Sequence, residues 1–254
     1  MTIESVAQLA PRAQAARARA ANGEGTGAIV IRGRALLAVI MPAIVVLNVL
    51  NAFAVFVYSE HHDRSSRLFQ EFSLDSEANV PSWFSSVLLL TAAALLAIVA
   101  LDVLARRGRW GRHWAGLSLV FAWLSLDETA AIHERIGGLL RSHLNLHGPL
   151  HYAGVIPMLA VALVVGITYL PFLRALPRAT LLGFLLAGAI YVTGAAGVEA
   201  ATGWWAEGRS GSTWLLFPST LEENLEMIGT TLFILVVVRY FARFGRAVTV
   251  SGGP

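Results

Sequence analysis

Residues 122–138 read AWLSLDETAAIHERIGG. The stretch opens as the end of an apolar run and then sets down Asp127, Glu128, His133 and Glu134 within two helical turns. In a soluble amphipathic helix such a pattern would be a solvated face. In a spanning helix each charge needs a partner, a cavity or an ion, and so marks a functional site. The rest of the chain decides between these readings.

The chain has 254 residues, of which 56% are hydrophobic and 14% charged, with a mean hydropathy of +0.64. That is too apolar for a soluble domain and places the chain among multispan membrane proteins. There is no cysteine, which excludes disulfides, iron–sulfur ligation, thiolate zinc and c-type haem attachment. All of the basic Lys+Arg set is arginine. A lysine imine, and with it a retinal Schiff base, is therefore excluded. The isoelectric point near 9.8 reflects arginines at helix ends, a topology signal that implies no nucleic-acid partner.

Six segments are long enough to cross about 30 Å of hydrocarbon at roughly 1.5 Å per residue. They lie near residues 35–59, 82–104, 114–138, 150–172, 180–204 and 215–241. The expected fold is an all-α polytopic bundle of six transmembrane helices. Residues 1–34, rich in Ala and Arg, form a mobile cytoplasmic tail; residues 35–242 form the membrane domain; residues 243–254 form a second tail. Residues 1–34 do not read as a cleavable signal peptide, because the first apolar segment starts too late and is too long.

Arginine placement orients the bundle. Arg12, Arg17, Arg19, Arg32 and Arg34 precede the first segment, Arg106, Arg107, Arg109 and Arg112 fill the second connection, Arg174 and Arg178 the fourth, and Arg239, Arg243 and Arg246 follow the sixth. Residues 60–81 are acidic instead. The positive-inside rule puts both termini in the cytoplasm. Tyr58, Trp83, Trp204, Trp205 and Trp214 would anchor the outer interface, and Trp110, Trp114 and Tyr240 the inner one. Gly183, Gly188, Gly194 and Gly197 suggest close helix packing; Pro42 and Pro157 suggest kinks. No internal repeat is visible.

Depth then follows by counting. Asp127 lies about 20 Å from the inner end of the third segment at 1.5 Å per residue, and Glu222 and Glu226 about 12 and 18 Å below the outer surface. Asn48, Asn51 and Glu199 share the outer half, whereas the inner half is apolar apart from Asp102, which has Arg106 four residues on. Glu222 and Glu226 share a helix face at i,i+4, flanked by Glu223. On a straight helix Asp127 and Glu134 share a face at i,i+7, Glu128 and His133 diverge from it by roughly 100° on either side, and the four cannot all meet one point.

Carboxylates gathered in low dielectric need a cation or shared protons. A divalent ion with oxygen ligands and an imidazole, Zn, Mn or Fe(II), answers that need. Asp127, His133, His151, Glu222 and Glu226 are the candidate ligands, and Glu128 or Glu199 the candidate general base. Glu77, Asn79, Glu134, Glu223, Asn48 and Asn51 are secondary candidates. Set against these roles are an arginine clamp for the deep acids, a solvated helix end for His133 and Glu134, and an ordinary helix start for residues 75–86. His143, His147 and His151 recur every four residues, but Gly148 and Pro149 break that register. His133 and His151 are the only pair open to bis-histidine haem ligation. His61 and His62 read as loop residues.

The motifs ANVPSWFSS (78–86), LSLDETAAIHE (124–134) and TLEENLEMIG (220–229) resemble those of uncharacterised bacterial multipass inner-membrane proteins over residues 70–235. A second likeness is to the CREST membrane hydrolases, which include the alkaline ceramidases. Glu77-Ala78-Asn79 resembles their acidic loop, Ser118 and Leu126-Asp127-Glu128 their early-helix motif, and Glu222 to Glu226 the spacing of their last zinc pair, with Glu for His. One helix fewer and none of the three zinc histidines separate this chain from them. That resemblance implies hydrolysis.

The expectation is an integral membrane protein with an outward-facing carboxylate and histidine pocket, acting as a metal-dependent enzyme on a membrane lipid or other amphiphile. A proton- or cation-coupled transporter needs a polar path to the cytoplasm. A non-catalytic assembly or sensor protein predicts acids paired with arginines.

Overall fold

The computed structural model describes residues 27–29, 33–61, 66–144, 146–206, 216–243 and 248–250. Expectations for Arg12, Arg17, Arg19, Arg32, His62, Trp214 and Arg246 lie outside these, as does most of the 1–34 tail. The elements in order are β1 (Gly27–Ile29), α1 (Gly33–His61), α2 (Arg67–Phe72), α3 (Val80–Ala105), α4 (Gly111–Ala130), α5 (Ile132–Leu144), a 3-10 turn (Gly148–Leu150), α6 (Val155–Ala175), α7 (Arg178–Val192), a π-helical segment (Thr193–Val198), α8 (Glu199–Ala206), α9 (Leu216–Arg243) and β2 (Val248–Val250). β1 and β2 pair antiparallel, Ala28 opposite Thr249. The two ends of the described chain therefore meet.

Five helical units are long and apolar enough to cross a membrane, and a sixth is added where the bent pair α4 and α5 counts as one span. This is a multi-pass membrane protein. α9 is the central element, packing against α7, α3 and α1, and 56% of its most apolar window is buried against 11% for α6. Small residues set this packing. A methyl group added at Gly229 would meet Tyr191 N at 2.8 Å, and one at Gly194 would meet Glu222 O at 2.8 Å. Gly183 abuts Val236, but Gly188 faces open space and Gly197 meets only its own turn. Close packing therefore rests on two of the four glycines expected to supply it, joined by Gly229 from the partner helix.

One end of the bundle is held by apolar and aromatic side chains. Trp114, Phe172, Phe184 and Phe233 form its centre, with Trp114 edge-on to Phe172 at 5.0 Å and Phe184 stacked on Phe233 at 4.5 Å. Trp114 is only 1% exposed, and Tyr58 is buried against Phe69. Neither is the interfacial anchor expected of it, because each found a ring partner across the bundle. Trp83, Trp204 and Trp205 are exposed as anchors should be. Asp102 accepts from Arg106 Nε at 2.9 Å at the helix end.

Proline placement also corrects expectation. Pro42 lies inside α1, but Pro157 is the third residue of α6, where its missing N–H costs no helical bond. Pro171 is the internal proline of that helix. The largest departure is in the third span. α4 stops at Ala130, Ala131 takes the left-handed conformation with φ 48°, and α5 leaves at 69° to α4.

Candidate functional site

Beyond the aromatic end lies a chamber of about 350 Å³. The loop before α3 and helices α4, α5, α8 and α9 bring acids to it, while α6 and α7 line it with Met158 and Tyr191. The connection before α3 supplies Asp75 and Glu77; α4 ends in it with Asp127 and Glu128; α5 begins in it with His133 and Glu134; α8 gives Glu199; and α9 gives Glu222, Glu223 and Glu226. Nine carboxylates thus line one cavity, and among the described residues no arginine does.

The break at Ala131 makes this convergence possible. On a continuous helix Glu128 and His133 would point away from the face that Asp127 and Glu134 share. With the chain turned at Ala131, all four line the same chamber. That corrects the straight-helix expectation, whose geometry fails where the helix is not straight.

Asp127 holds the break in place. Its Oδ1 accepts from the backbone N–H of His133 at 2.8 Å, one of the donors left without an intrahelical partner at the start of α5. Its Oδ2 lies 2.7 Å from His133 Nδ1. Both oxygens of this 3% exposed carboxylate are therefore engaged by one residue. An imidazole held through Nδ1 by a carboxylate has its Nε2 left for an ion or substrate. The ring packs against Gly154, where an added methyl would meet Glu199 Oε1 at 3.0 Å and His133 Cδ2 at 3.2 Å. Glycine at that position admits both groups.

Deeper in, Glu128 and Glu226 are 7% and 9% exposed. Tyr191 donates its hydroxyl to Glu226. Glu128 stands within electrostatic reach of Glu226, Glu77, Asp127 and Glu222. Glu128 Oε1, Glu223 Oε2, Glu77 Oε2 and Glu199 Oε2 are buried with no hydrogen-bond partner. Buried acceptors are ordinarily satisfied, so four in one chamber require an explanation. Among the described residues, no set of three or more acidic or histidine side chains has its donors already gathered about one point.

At the rim, Glu77 is pushed up to about 7, by burial first and by the negative charge of Glu134 second. Tyr152 is also raised, by burial and then by Asp75. Asp75 accepts from Ser219 Oγ at 2.8 Å, tying the loop to α9.

The remaining candidates are placed elsewhere. Asn48 and Asn224 exchange amide hydrogen bonds at 2.8 Å, joining α1 to α9. Asn51 accepts from Leu74 N at 2.9 Å and donates to Thr220 at 3.0 Å. Asn79 caps α3 through Ser82 N and Ser82 Oγ and donates to Ser73 O at 2.7 Å. All three amides are consumed in fixing the scaffold. His151 stays outside the chamber, with Nε2 3.2 Å from Arg141 Nη2, and Ser118 bonds to Ala93 O on α3.

Sequence reasoning did not single out Tyr191, Tyr152, Asp75, Thr202 or Ser219 as chamber residues. Tyr191 was within reach of it: it precedes Glu199 by eight residues, which returns it to the same helix face. The π-helical segment between them widens the turn where Gly194 and Ala195 meet α9. Such insertions favour functional sites.

A family model described as a domain of unknown function (DUF8692) matches residues 37–241, the whole of the bundle that builds this chamber. No curated protein and no solved structure matches the chain.

Proposed function

We propose that this chain, which belongs to the DUF8692 family, is a metal-dependent membrane enzyme whose acidic chamber holds a divalent cation. One observation carries the reading: nine carboxylates line a single cavity that, among the described residues, no arginine lines, and four of their buried oxygens have no hydrogen-bond partner there. An arginine clamp would have paired them. Oxygen donors with a single imidazole suit Mn, Zn or Fe(II). Glu128, Glu222, Glu223 and Glu226 are the acids best placed to hold the ion with His133 Nε2, their side chains closing on it by rotation. A cation so held lowers the pKa of a bound water and makes it a nucleophile near neutral pH.

The other residues then divide the work. Asp127 orients His133 and fixes its tautomer. Glu199, beside the imidazole, would be the acceptor for that water's proton. Tyr191 positions Glu226. Hydrolysis of an amphiphile is the reaction class this arrangement serves, because the chamber lies within the span of the helices.

An ion-coupled carrier would need polar groups continuing toward the aromatic end. Below Tyr191 the lining turns apolar instead, which favours the enzyme. We assign six spans with the bent pair as the third, both termini cytoplasmic, and a bacterial inner membrane as the location. The arginine distribution supports this orientation.

Metal content of the purified protein tests the proposal. The parent is expected to bind about one divalent ion per chain, and Glu128→Gln and Glu226→Gln to lose it while keeping their elution volume. A parent that takes up neither manganese nor zinc on titration overturns the reading.

A further inference from the structure

A second cavity, of about 380 Å³, lies directly against the acidic chamber, and Met158, Tyr191 and Ala195 line both. Its other walls are apolar side chains of α4, α6, α7 and α9, among them Phe121, Leu124 and Phe233. It runs down to Phe184 and Leu173, near the aromatic end. The volume falls within the range of small-molecule sites, roughly 300–1,000 Å³. α6, which lines this cavity, is the least buried of the long apolar helices.

Two glycines belong to its wall. Gly166 on α6 and Gly188 on α7 line the cavity, and a methyl group added to either would meet nothing within 4 Å. These are positions where the packing leaves room that no side chain of the protein fills.

We propose that the two cavities form one site for a single-chain amphiphile with an amine headgroup, the alkyl chain in the apolar cavity and the ammonium group in the acidic chamber. Charge complementarity selects the headgroup: the carboxylates outnumber the charge of one divalent ion several times over, and among the described residues no arginine lines the chamber. Volume selects one chain over two, because about 380 Å³ is at the small end of ligand-site volumes. The chain enters sideways from the bilayer past Gly166 and Gly188. This rests on the metal-site reading only for the reaction that follows, since binding itself needs the chamber's charge and the cavity's volume.

The test uses the full chain in nanodiscs and hexadecylamine carrying a mid-chain diazirine. Photolabelling is expected on peptides of α4, α6 and α7, and competition by unlabelled hexadecylamine should remove it. Gly166→Leu and Gly188→Leu are designed to fill the cavity, because a Cβ at either position meets nothing within 4 Å. Each is expected to reduce labelling at least tenfold while metal content and thermal midpoint stay at parent values. Hexadecanol carrying the same diazirine should label at least fivefold less. Labelling that the leucine variants leave intact overturns the cavity assignment, and equal labelling by the alcohol overturns the amine headgroup. A dimer that dissociates in the leucine variants, with no labelling of the parent, would assign the cavity to a second copy of the chain and overturn the proposal. Metal content is read on the same samples, so loss of the metal site with labelling intact counts against the enzyme reading alone.

Discussion

At Asp127 one carboxylate does two jobs, capping α5 and orienting His133. A charge-assisted bond to a buried group is worth about 1.5–3 kcal/mol, and a supporting partner of a metal-binding histidine about 10- to 100-fold in metal affinity. Asp127→Asn is therefore expected to weaken manganese binding by that factor, measured by calorimetry, and to lower stability by about 1–3 kcal/mol. Glu77 offers a pH readout. In the fold it holds its proton up to about pH 7, whereas the unfolded chain releases it near 4.5. The folded state thus binds more protons between these values, and stability falls as pH rises through that window. In chelator, Glu77→Gln should flatten this part of the thermal-midpoint profile and be more stable than the parent above pH 7. Added cation should reverse the trend in the parent, because it binds the ionised carboxylate. A parent profile that matches the glutamine variant from pH 4.5 to 7 would contradict the assignment.

Among the elements, α4, α5 and α9 are arranged by small residues and one break. Gly194 and Gly229 allow α7, its π-helical continuation and α9 to approach until backbone atoms stand within 3 Å of where a methyl would lie. Gly194→Ala and Gly229→Ala are each expected to cost about 1–3 kcal/mol, the range for overpacking a close interface. Gly138→Ala, on α5 with open space around it, should gain up to about 1 kcal/mol from helix propensity. Thermal unfolding in detergent separates the two classes. Equal effects at all three positions would mean that α7 and α9 do not pack on these glycines. The apolar spans were legible as helices because each presents an unbroken run of membrane length. The break at Ala131 was not, because its sequence, TAAIH (129–133), contains neither glycine nor proline. A left-handed alanine is held there by the bond from His133 N–H to Asp127, a contact across the break that no local propensity announces.

For the whole molecule, the pairing of β1 with β2 brings the two ends of the described chain to one side of the bundle. The absence of native cysteine permits a direct check. Single cysteines at Thr249 and at Ala28 are expected to react with a membrane-impermeant maleimide from the same side in right-side-out vesicles, and a cysteine at Ala78 from the opposite side. Labelling of Ala78 and Thr249 from one side would refute the six-span arrangement.

The sequence by itself determined that the chain spans a membrane, where the spans lie and which acids are buried too deep to be solvent-facing. These follow from composition and run length, which are properties of single segments. It also placed Asp127, Glu199, Glu222 and Glu226 in the outer half, since rise per residue is constant along a helix. Only the tertiary structure decided which groups face one another. Asn48 and Asn51 stood in the same half, yet each was claimed by a partner on another element. Trp114 and Tyr58 carried the chemistry of interfacial anchors, yet Trp114 is buried against rings far away in sequence and Tyr58 against Phe69 of the next helix. His133, set beside the surface by counting, was turned into the chamber by a break it helps to hold. Depth is a one-dimensional quantity and can be read from the chain; facing depends on long-range contacts, and those exist only once the bundle has closed.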